Sequence, residues 1–233
     1  MYRRKRVAAV ILAGGCGSRM KAAGNKVYLP LGGRAVVLYA VEAFDRHPYV
    51  DELVFVTRAE ERAEAEALLQ TASLGKPWRV VLGGESRQAS VWNAISDMRS
   101  EIVLIHDGTR PFVPEQGITA CVEALERYDG AVLACKVESP VYSAPRRQVA
   151  PRRLDETLYA AQTPQCFYTK TLKACHLRHR ANPKITDDSS LLELEGYQVC
   201  IVPGDPRNIK LTTPLDMPLA AAYLDLLYME PSL

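Results

Sequence analysis

An apolar run near the start of the chain leads into a loop that is mostly glycine: Ala13, Gly14, Gly15 and Gly17. Arg19 and Lys26 follow this loop. Residues without a Cβ let backbone N–H groups approach an anion closely, and a loop of this kind after a buried strand binds phosphate. Arg suits forked contacts to phosphate oxygens, whereas Lys acts as a mobile point charge. The segment therefore predicts a phosphate-binding loop.

Two common phosphate-binding loops do not fit this segment. A dinucleotide-binding fingerprint requires a third glycine where Met20 stands, and no suitable acid follows at the usual distance. A P-loop requires Gly-Lys-Ser/Thr, and the nearest match is the run Gly-Asn-Lys-Val at 24–27. The remaining alternative is a tight glycine turn with basic residues on the surface.

A second polar segment, His-Asp-Gly-Thr-Arg-Pro at 106–111, follows another apolar run. An acid at the end of a strand, directed into a phosphate site, is placed to hold Mg²⁺, which would neutralise charge during substitution at phosphorus. Asp107 is therefore a candidate metal ligand. Gly108 lets the backbone lie against a ligand, and Arg110 is suited to a second anionic substrate. Asp-Gly-Thr-Arg on its own is more often a turn.

The elements that must position these residues alternate between strands and helices. Continuous apolar runs, typical of strands covered on both faces, occur at 7–13, 53–56, 80–82, 102–105 and 131–134. Amphipathic helical patterns occur at 35–44, 60–69 and 114–128. This alternation predicts an α/β fold, a mostly parallel twisted sheet flanked by helices. Ligands of such sheets bind beyond the carboxyl ends of the strands, which directs attention to the loops after Ala13, Leu82 and Ile105.

One segment, residues 138–157, interrupts the pattern with several Pro and Arg residues and little apolar periodicity. A long loop inside a compact domain is usually functional or bound to a partner, so we interpret it as a projecting arm of a single domain over residues 1–233. A disordered surface loop is the alternative. Beyond it we expect a helix near 170–179, a strand at 198–202 and a last helix with Thr213 as N-cap, Pro214 at N1 and Asp216 at N3.

The overall charge and the cysteines exclude several classes of protein. The 29 basic and 27 acidic residues give a net charge of +2, which predicts neither a nucleic-acid partner nor a membrane partner. No apolar stretch approaches the length of a membrane span, and the apolar run after the basic N-terminus is better explained as a first strand than as a signal peptide. The six cysteines form no CxxC pair, which favours reduced thiols in a cytoplasmic protein.

Several blocks of the sequence taken together resemble a known family. Leu-Ala-Gly-Gly-x-Gly-x-Arg-Met with Lys26 is similar to the start of sugar-nucleotide and related nucleotidyltransferases. Five further blocks narrow the resemblance to the 2-C-methyl-D-erythritol 4-phosphate cytidylyltransferases of the non-mevalonate isoprenoid pathway, from about residue 7 to 228: 83–91, 106–111, 162–167, 185–188 and 208–212. The resemblance implies a Rossmann-like, glycosyltransferase-A-like nucleotidyltransferase fold.

The resemblance also implies a Mg²⁺-dependent enzyme that converts CTP and a polyol phosphate into a CDP-alcohol and pyrophosphate. It implies that the loop Ala13–Gly17, with Arg19 and Lys26, holds and polarises the triphosphate. The cytidine pocket would comprise Gly84, Glu85, Ser90 and Gly108. Asp107 would serve both Mg²⁺ and substrate. The acceptor site would comprise Arg110, Thr163, Thr186 and Lys210, and Lys210 would also offset charge at the α-phosphorus. Family members form homodimers by exchanging the arm.

The chain departs from the family pattern at a few positions. Glu85 stands where the family usually has Asp, and Ser-Pro-Val-Tyr at 139–142 replaces an arm motif whose Thr reaches the acceptor site of the neighbouring subunit. Asp155 occupies the register of an acceptor-binding Arg, for which Arg152 or Arg153 could substitute. These departures leave ribitol 5-phosphate as an alternative acceptor. Two further hypotheses are a nucleotidyltransferase for another base, such as a guanylyltransferase, and a catalytically degenerate nucleotide-binding homologue.

Overall fold

The computed structural model of the chain describes residues 1–15, 25–142, 157–180 and 185–229. Nine strands occur in these ranges: β1 Val7–Leu12, β2 Pro30–Leu31, β3 Arg34–Ala35, β4 Glu52–Thr57, β5 Trp78–Leu82, β6 Ile102–Asp107, β7 Gly130–Lys136, β8 Tyr159–Tyr168 and β9 Val199–Pro203. Seven of them form one sheet in the order β5-β4-β1-β6-β8-β7-β9, and β2 pairs with β3. All neighbours in the large sheet are parallel except β8, which is antiparallel to β6 and β7. The predicted fold class is confirmed.

Helices cover both faces of the sheet. They are α1 Val36–Arg46, α2 Arg62–Thr71, α3 Arg87–Ile95, α4 Glu115–Ala124, α5 Thr169–Arg178, α6 Asp188–Leu194 and α7 Asp216–Met229. The alternation of the central strand shows the two layers: Val7, Ala9 and Ile11 share a buried cluster with α1, α2 and α4, whereas Ala8 and Val10 share one with α3, α5 and α6. Full burial of a Val or Ile side chain contributes about 1.5–3 kcal/mol, so both layers stabilise the sheet.

The last helix packs away from the main layers. Leu224 and Ala220 of α7 are buried against Leu31, Phe112 and Leu211 in a separate cluster. The carboxylate of Asp216 accepts the backbone N–H of Thr213 at 2.7 Å, as an acid at N3 does for its N-cap residue, which agrees with the predicted start of this helix. The regular helix begins at Asp216, two residues after the predicted N1 residue Pro214.

Strand β8 lies in the middle of the sheet, where its sequence does not predict a strand. Pro164 cannot donate to a strand ladder, and polar side chains surround it. The structure accommodates the proline where the pairing register with β7 shifts, between Val132 and Ala134. β8 therefore passes directly beside the end of β6. This places the hydroxyl of Thr163 against the backbone N–H of Asp107.

The base of the predicted arm is an extension of β7 and β8 beyond the sheet. Lys136 pairs with Tyr159, and the N–H of Val137 donates to the carbonyl of Leu158 at 2.9 Å. Residues 143–156, including Asp155, lie outside the described residues, so the rest of the predicted arm stays a prediction. Within the described part of the chain, no helix is long and apolar enough to cross a membrane.

Candidate active site

A cleft of about 420 Å³ opens at the carboxyl ends of β1, β4, β5 and β6, where the three predicted loops meet. It is lined by Leu12, Gly14, Gly15, Asn25, Lys26, Val27, Val56, Gly84, Glu85, Ser86, Arg87, Ser90, Asp107, Thr109 and Lys210. The structure thus brings together most of the residues expected to hold the nucleotide. Gly17 and Arg19 lie outside the described residues.

Backbone hydrogen bonds join the strand ends around this cleft. The N–H of Ala13 donates to the carbonyl of Val56 at 2.7 Å, and the N–H of Gly108 donates to the carbonyl of Leu12 at 2.9 Å. A Cβ at Gly108 would lie 2.9 Å from the same Leu12 oxygen, closer than real side chains approach. Gly108 is therefore required by the close approach of two loops, whatever it does for a ligand.

The turn between β5 and α3 is built around one hydroxyl group. Ser90 Oγ accepts the N–H of Gly84 at 3.1 Å and donates to the carbonyl of Ser86 at 2.8 Å, while Ser86 caps α3 by accepting the N–H of Ala89. These bonds hold Gly84 against the first turn of the helix and leave the neighbouring Glu85 exposed at the cleft. Three of the four residues predicted to line the cytidine pocket, Gly84, Glu85 and Ser90, are thus contiguous in space, whereas Gly108 is not among the cleft-lining residues.

Asn25 closes the glycine-rich loop at its far end. Its side-chain amide donates to the carbonyl of Ala13 at 2.5 Å and to Glu61 at 2.9 Å, and its oxygen accepts the N–H of Val27. The carboxylate of Glu61 is buried, and the cation of Arg58 pairs with it. Both ends of the loop are thus held together, and Lys26, itself buried, is placed at the cleft.

Asp107 lies at the end of β6 within reach of three cations. Its carboxylate accepts Lys210 Nζ at 2.8 Å, with Arg87 Nε at 3.5 Å and Arg110 Nε at 3.9 Å. Burial alone would raise its pKa, but these cations hold the pKa of Asp107 well below its usual range. Asp107 is therefore ionised under all ordinary conditions.

The neighbouring His106 is neutral, and its tautomer follows from its partners. Its Nε2 lies 3.0 Å from the carbonyl of Arg110, which can only accept, so Nε2 carries the proton. Nδ1 then accepts the hydroxyl proton of Thr163 at 3.1 Å, and the same hydroxyl accepts the N–H of Asp107 at 3.0 Å. Burial lowers the pKa of His106 to about 4. Thr163 is buried with its hydroxyl fully used, behind the cleft wall instead of in it.

Arg110 holds the loop that carries Lys210. Its guanidinium donates to the carbonyls of Asn208 at 2.7 Å and Ala161 at 3.4 Å. The N–H of Leu211 donates to the carbonyl of Thr109, which fixes the same loop from its other side. Burial lowers the pKa of Arg110. The predicted contact of Arg110 with an acceptor stays a prediction. In the structure, Arg110 bonds the loop that carries Lys210 and so positions this lysine.

Thr186 is exposed immediately before α6 and does not line the cleft. Helix α6 begins with a capping box, in which Asp187 accepts the N–H of Ser190. The helix is tied to the nucleotide side through Asp188, whose carboxylate lies 2.6 Å from Arg87. The placement of Thr186 in an acceptor site therefore stays a prediction, although its helix is fixed to the cleft.

In the described part of the chain two carboxylates line this cleft, the buried Asp107 and the exposed Glu85, and Asp107 is the one expected to hold a magnesium ion. The described residues contain no group of three or more His, Cys, Asp or Glu side chains that would hold a metal by themselves. Mg²⁺ commonly binds one or two carboxylates and takes its remaining ligands from substrate phosphates and water. Asp107 fits this requirement, because among the described residues its Oδ1 has no cation closer than Arg87 at 3.5 Å.

Sequence reasoning assigned no role to four residues that organise the site: Asn25, Arg87, Gln165 and Asp188. The last three belong to the blocks that carry the family resemblance, so the resemblance singled them out without a chemical reason. Asn25 has only its position beside Lys26 as a signal. All four act on other protein groups, which a linear pattern of ligand-binding residue types does not reveal.

The chain matches the model of the 2-C-methyl-D-erythritol 4-phosphate cytidylyltransferase family over residues 7–226. A protein of that name from Bacillus velezensis is 39% identical over 218 residues, covering 92% of this chain and 94% of the relative. One from Caldanaerobacter subterraneus is 38% identical over 223 residues, covering 94% and 98%.

Solved structures of similar proteins share the fold. A 4-diphosphocytidyl-2C-methyl-D-erythritol synthase from Anaerococcus prevotii superimposes with a TM-score of 0.83 at 30% identity, covering 95% of this chain and 99% of that one. A 2-C-methyl-D-erythritol 4-phosphate cytidylyltransferase from Thermus thermophilus gives 0.76 at 28% identity, covering 94% and 99%. The likeness therefore extends over the sheet, the cleft and the helices.

Proposed function

The chain belongs to the 2-C-methyl-D-erythritol 4-phosphate cytidylyltransferase family, and from this we propose how its own residues perform the reaction. The enzyme transfers CMP from CTP to 2-C-methyl-D-erythritol 4-phosphate in the non-mevalonate route to isoprenoid precursors. A phosphate oxygen of the acceptor attacks the α-phosphorus, the bond to the β-phosphate oxygen breaks, and pyrophosphate leaves. The protein contributes position and charge, because the bond changes involve only the substrates.

The glycine-rich loop and two cations hold the triphosphate in this proposal. Ala13 anchors the loop through its N–H bond to the end of β4. The backbone N–H groups that follow it up to Gly17 surround the phosphates, and Arg19 and Lys26 lie beside them. Lys26 supports the assignment because it lines the cleft next to the loop that Asn25 closes. Positive charge at this place stabilises the pyrophosphate as its charge develops.

Gly84, Glu85, Ser90 and Gly108 form the cytidine pocket. The pocket is stiff, since Ser90 holds the backbone of Gly84 and Gly108 is bonded to the end of β1. A pyrimidine presents few polar edges, so a rigid pocket with backbone groups selects it by size and by hydrogen bonds.

Asp107 holds Mg²⁺ in this proposal, and the ion would supply charge neutralisation between the phosphate oxygens. Lys210, paired with Asp107, faces the α-phosphorus and the acceptor phosphate. Arg110 keeps the Lys210 loop in place and completes the positive charge of the acceptor side, while Thr163 holds the backbone of Asp107. Thr186 approaches the acceptor from the segment that precedes α6.

We further propose a homodimer through the arm and a cytoplasmic location. Exposed apolar side chains cluster at the base of the arm: Val141, Tyr142, Leu158 and Tyr159. Such a patch favours a protein partner, and a second copy of the chain offers the same extension of β7 and β8. The cysteines in the described ranges are free thiols, which a reducing compartment maintains.

The observation that carries the proposal is the junction of the glycine-rich loop, Lys26 and the Asp107–Lys210 pair in one cleft. The test is pyrophosphate release from CTP with Mg²⁺ in a panel of acceptors. We expect turnover with 2-C-methyl-D-erythritol 4-phosphate and loss of turnover when EDTA removes the metal. If only ribitol 5-phosphate supports turnover, the assignment of 2-C-methyl-D-erythritol 4-phosphate as the acceptor is wrong. If CTP binds and no alcohol phosphate gives a product, the protein is a catalytically degenerate homologue.

The base preference has a separate test. Thermal unfolding with CTP, UTP, GTP and ATP in the presence of Mg²⁺ compares binding directly, because a ligand that binds only the folded state raises the unfolding temperature. We expect CTP to give the largest increase. A larger increase with GTP would support a guanylyltransferase instead.

A further inference from the structure

Arg87 connects the cleft to helix α6, which lies outside it. The mechanism proposed above assigns no role to Arg87. It is the first residue of α3, and its guanidinium lies between two carboxylates. Nη1 is 2.6 Å from Asp188 Oδ2, and Nε is 3.5 Å from Asp107 Oδ1. One planar cation therefore contacts both the active-site acid and the first residue of α6.

Asp188 is a buried acid that depends on this contact. Its side chain is 1% exposed, and its second oxygen faces His176 Nε2 at 3.6 Å, beyond hydrogen-bond distance. A buried carboxylate without a strongly bonded cation is costly, so Arg87 is its main partner. Burial opposes the ionised form of Asp188, yet the Arg87 cation keeps its pKa lowered.

The first turn of α6 is held from a second direction by Gln165 of β8. Gln165 Oε1 accepts the N–H groups of Asp188 at 3.1 Å and Ser189 at 3.2 Å, and its Nε2 donates to Asp187 at 2.7 Å. β8 pairs with β6, the strand that ends at Asp107. The start of α6, with Thr186 immediately before it, is thus clamped both to α3 and to the strand next to Asp107.

We propose that Arg87 is a positioning residue that couples the start of α6 to Asp107, and so sets the acceptor side of the site relative to the Asp107–Lys210 pair. The proposal rests on the proposed function, because it assigns Thr186 and Lys210 to the same acceptor. Arg87 carries out this role through its two carboxylate partners and forms no bond in the reaction.

Arg suits this bridge for a geometric reason. Its guanidinium directs separate nitrogens to separate carboxylates, whereas the ammonium of Lys is a single point charge on a flexible stem. Neutralising Asp188 would leave Arg87 with Asp107 as its remaining carboxylate and would loosen α6 on the α3 side, while the Gln165 bonds would still hold its first turn. Arg87 would then compete with Lys210 for Asp107, and Thr186 would shift away from the acceptor.

The test substitutes Asp188→Asn, which keeps the size of a side chain that does not line the cleft. The matched control is Asp97→Asn, which removes the same charge from an exposed pair with Arg79 at the other end of α3. For Asp188→Asn we expect kcat/KM for 2-C-methyl-D-erythritol 4-phosphate to fall about 10²-fold, as a misplacement of about 1 Å does. We expect the Kd for CTP without Mg²⁺, measured by titration calorimetry, to change by less than about twofold, because Asp107 is proposed to act on the nucleotide through the ion. Asp97→Asn should alter neither quantity.

A lower unfolding temperature with unchanged kcat/KM in folded Asp188→Asn would mean that the pair only stabilises the fold and would overturn the bridge. If Asp188→Asn does not fold, kcat/KM is measured for Arg87→Lys instead. A wild-type kcat/KM in Arg87→Lys would also overturn the bridge. Wild-type protein that releases no pyrophosphate would overturn the proposed function itself, a result that does not depend on any variant.

Discussion

Single side chains carry the charge that the cleft offers to a triphosphate. We expect Lys26→Ala and Arg19→Ala each to lower kcat by about 10²–10³-fold, because in the proposed mechanism each supplies a cation where charge develops in the transition state. Urea unfolding should give midpoints close to that of the wild type, since Lys26 belongs to none of the buried apolar clusters and Arg19 is assigned to the ligand. Steady-state release of pyrophosphate measures the first effect. Variants that turn over at the wild-type rate would contradict the assigned roles.

His106 makes stability depend on pH. Its pKa is lowered by burial to about 4, against 6.5 in the unfolded chain. Between these values only the unfolded state binds the proton, so the free energy of unfolding decreases as the pH falls through this window. The expected loss is on the order of 3 kcal/mol. Burial lowers the pKa of His47 in the same direction.

The measurement is urea unfolding at several pH values between about pH 7 and about pH 4.5. In His106→Gln the part of the slope that His106 causes should disappear, leaving the part from His47. Asp107 acts in a different window, because a carboxyl whose folded pKa is lowered loses its contribution only below its unfolded pKa, 3.8. A slope unchanged by His106→Gln would show that His106 does not cause it.

At the scale of the elements, the close approach of loops is the sharpest constraint. We expect Gly108→Ala to lower the free energy of unfolding by about 1–3 kcal/mol, because the new Cβ would meet the Leu12 carbonyl at 2.9 Å and Val37 at 3.0 Å. Gly15→Ala is the matched control, since its Cβ would meet nothing within 4 Å in the described part of the chain. Urea unfolding of both variants checks this, and equal stability would contradict it.

Some elements could be predicted from the sequence and others could not. β1, β4 and β6 are continuous apolar runs, and such runs indicate buried strands directly. β8 contains Pro164 amid polar residues, and its place between β6 and β7 depends on partners far away in the chain. Helix α6 is short, and polar residues dominate its start, so its apolar pair Leu191 and Leu192 gives too weak a period to predict it.

At the scale of the whole molecule, the arm is the segment through which we propose that two copies of the chain form a homodimer. We expect a homodimer in sedimentation velocity, and we expect the double variant Tyr142→Asp with Leu158→Asp to shift it toward monomer, because charges would enter an apolar interface. The two side chains are 63% and 39% exposed in the single chain. Leu215→Asp, at a side chain just before α7 that is 82% exposed, is the control. A wild-type monomer at working concentration would contradict the dimer.

The amino-acid sequence by itself determined the alternating strands and helices, the glycine-rich loop and the candidate Asp107, because apolar runs, missing Cβ atoms and an acid at a strand end act locally. Only the tertiary structure decided which groups meet. Arg87 pairs with Asp188 across 101 positions, and Lys210 pairs with Asp107 across 103. Ion pairs and strand order depend on distance in space, which the linear order of residues does not contain. The tertiary structure likewise shows that Thr163 supports the backbone of Asp107, while its contact with an acceptor stays a prediction.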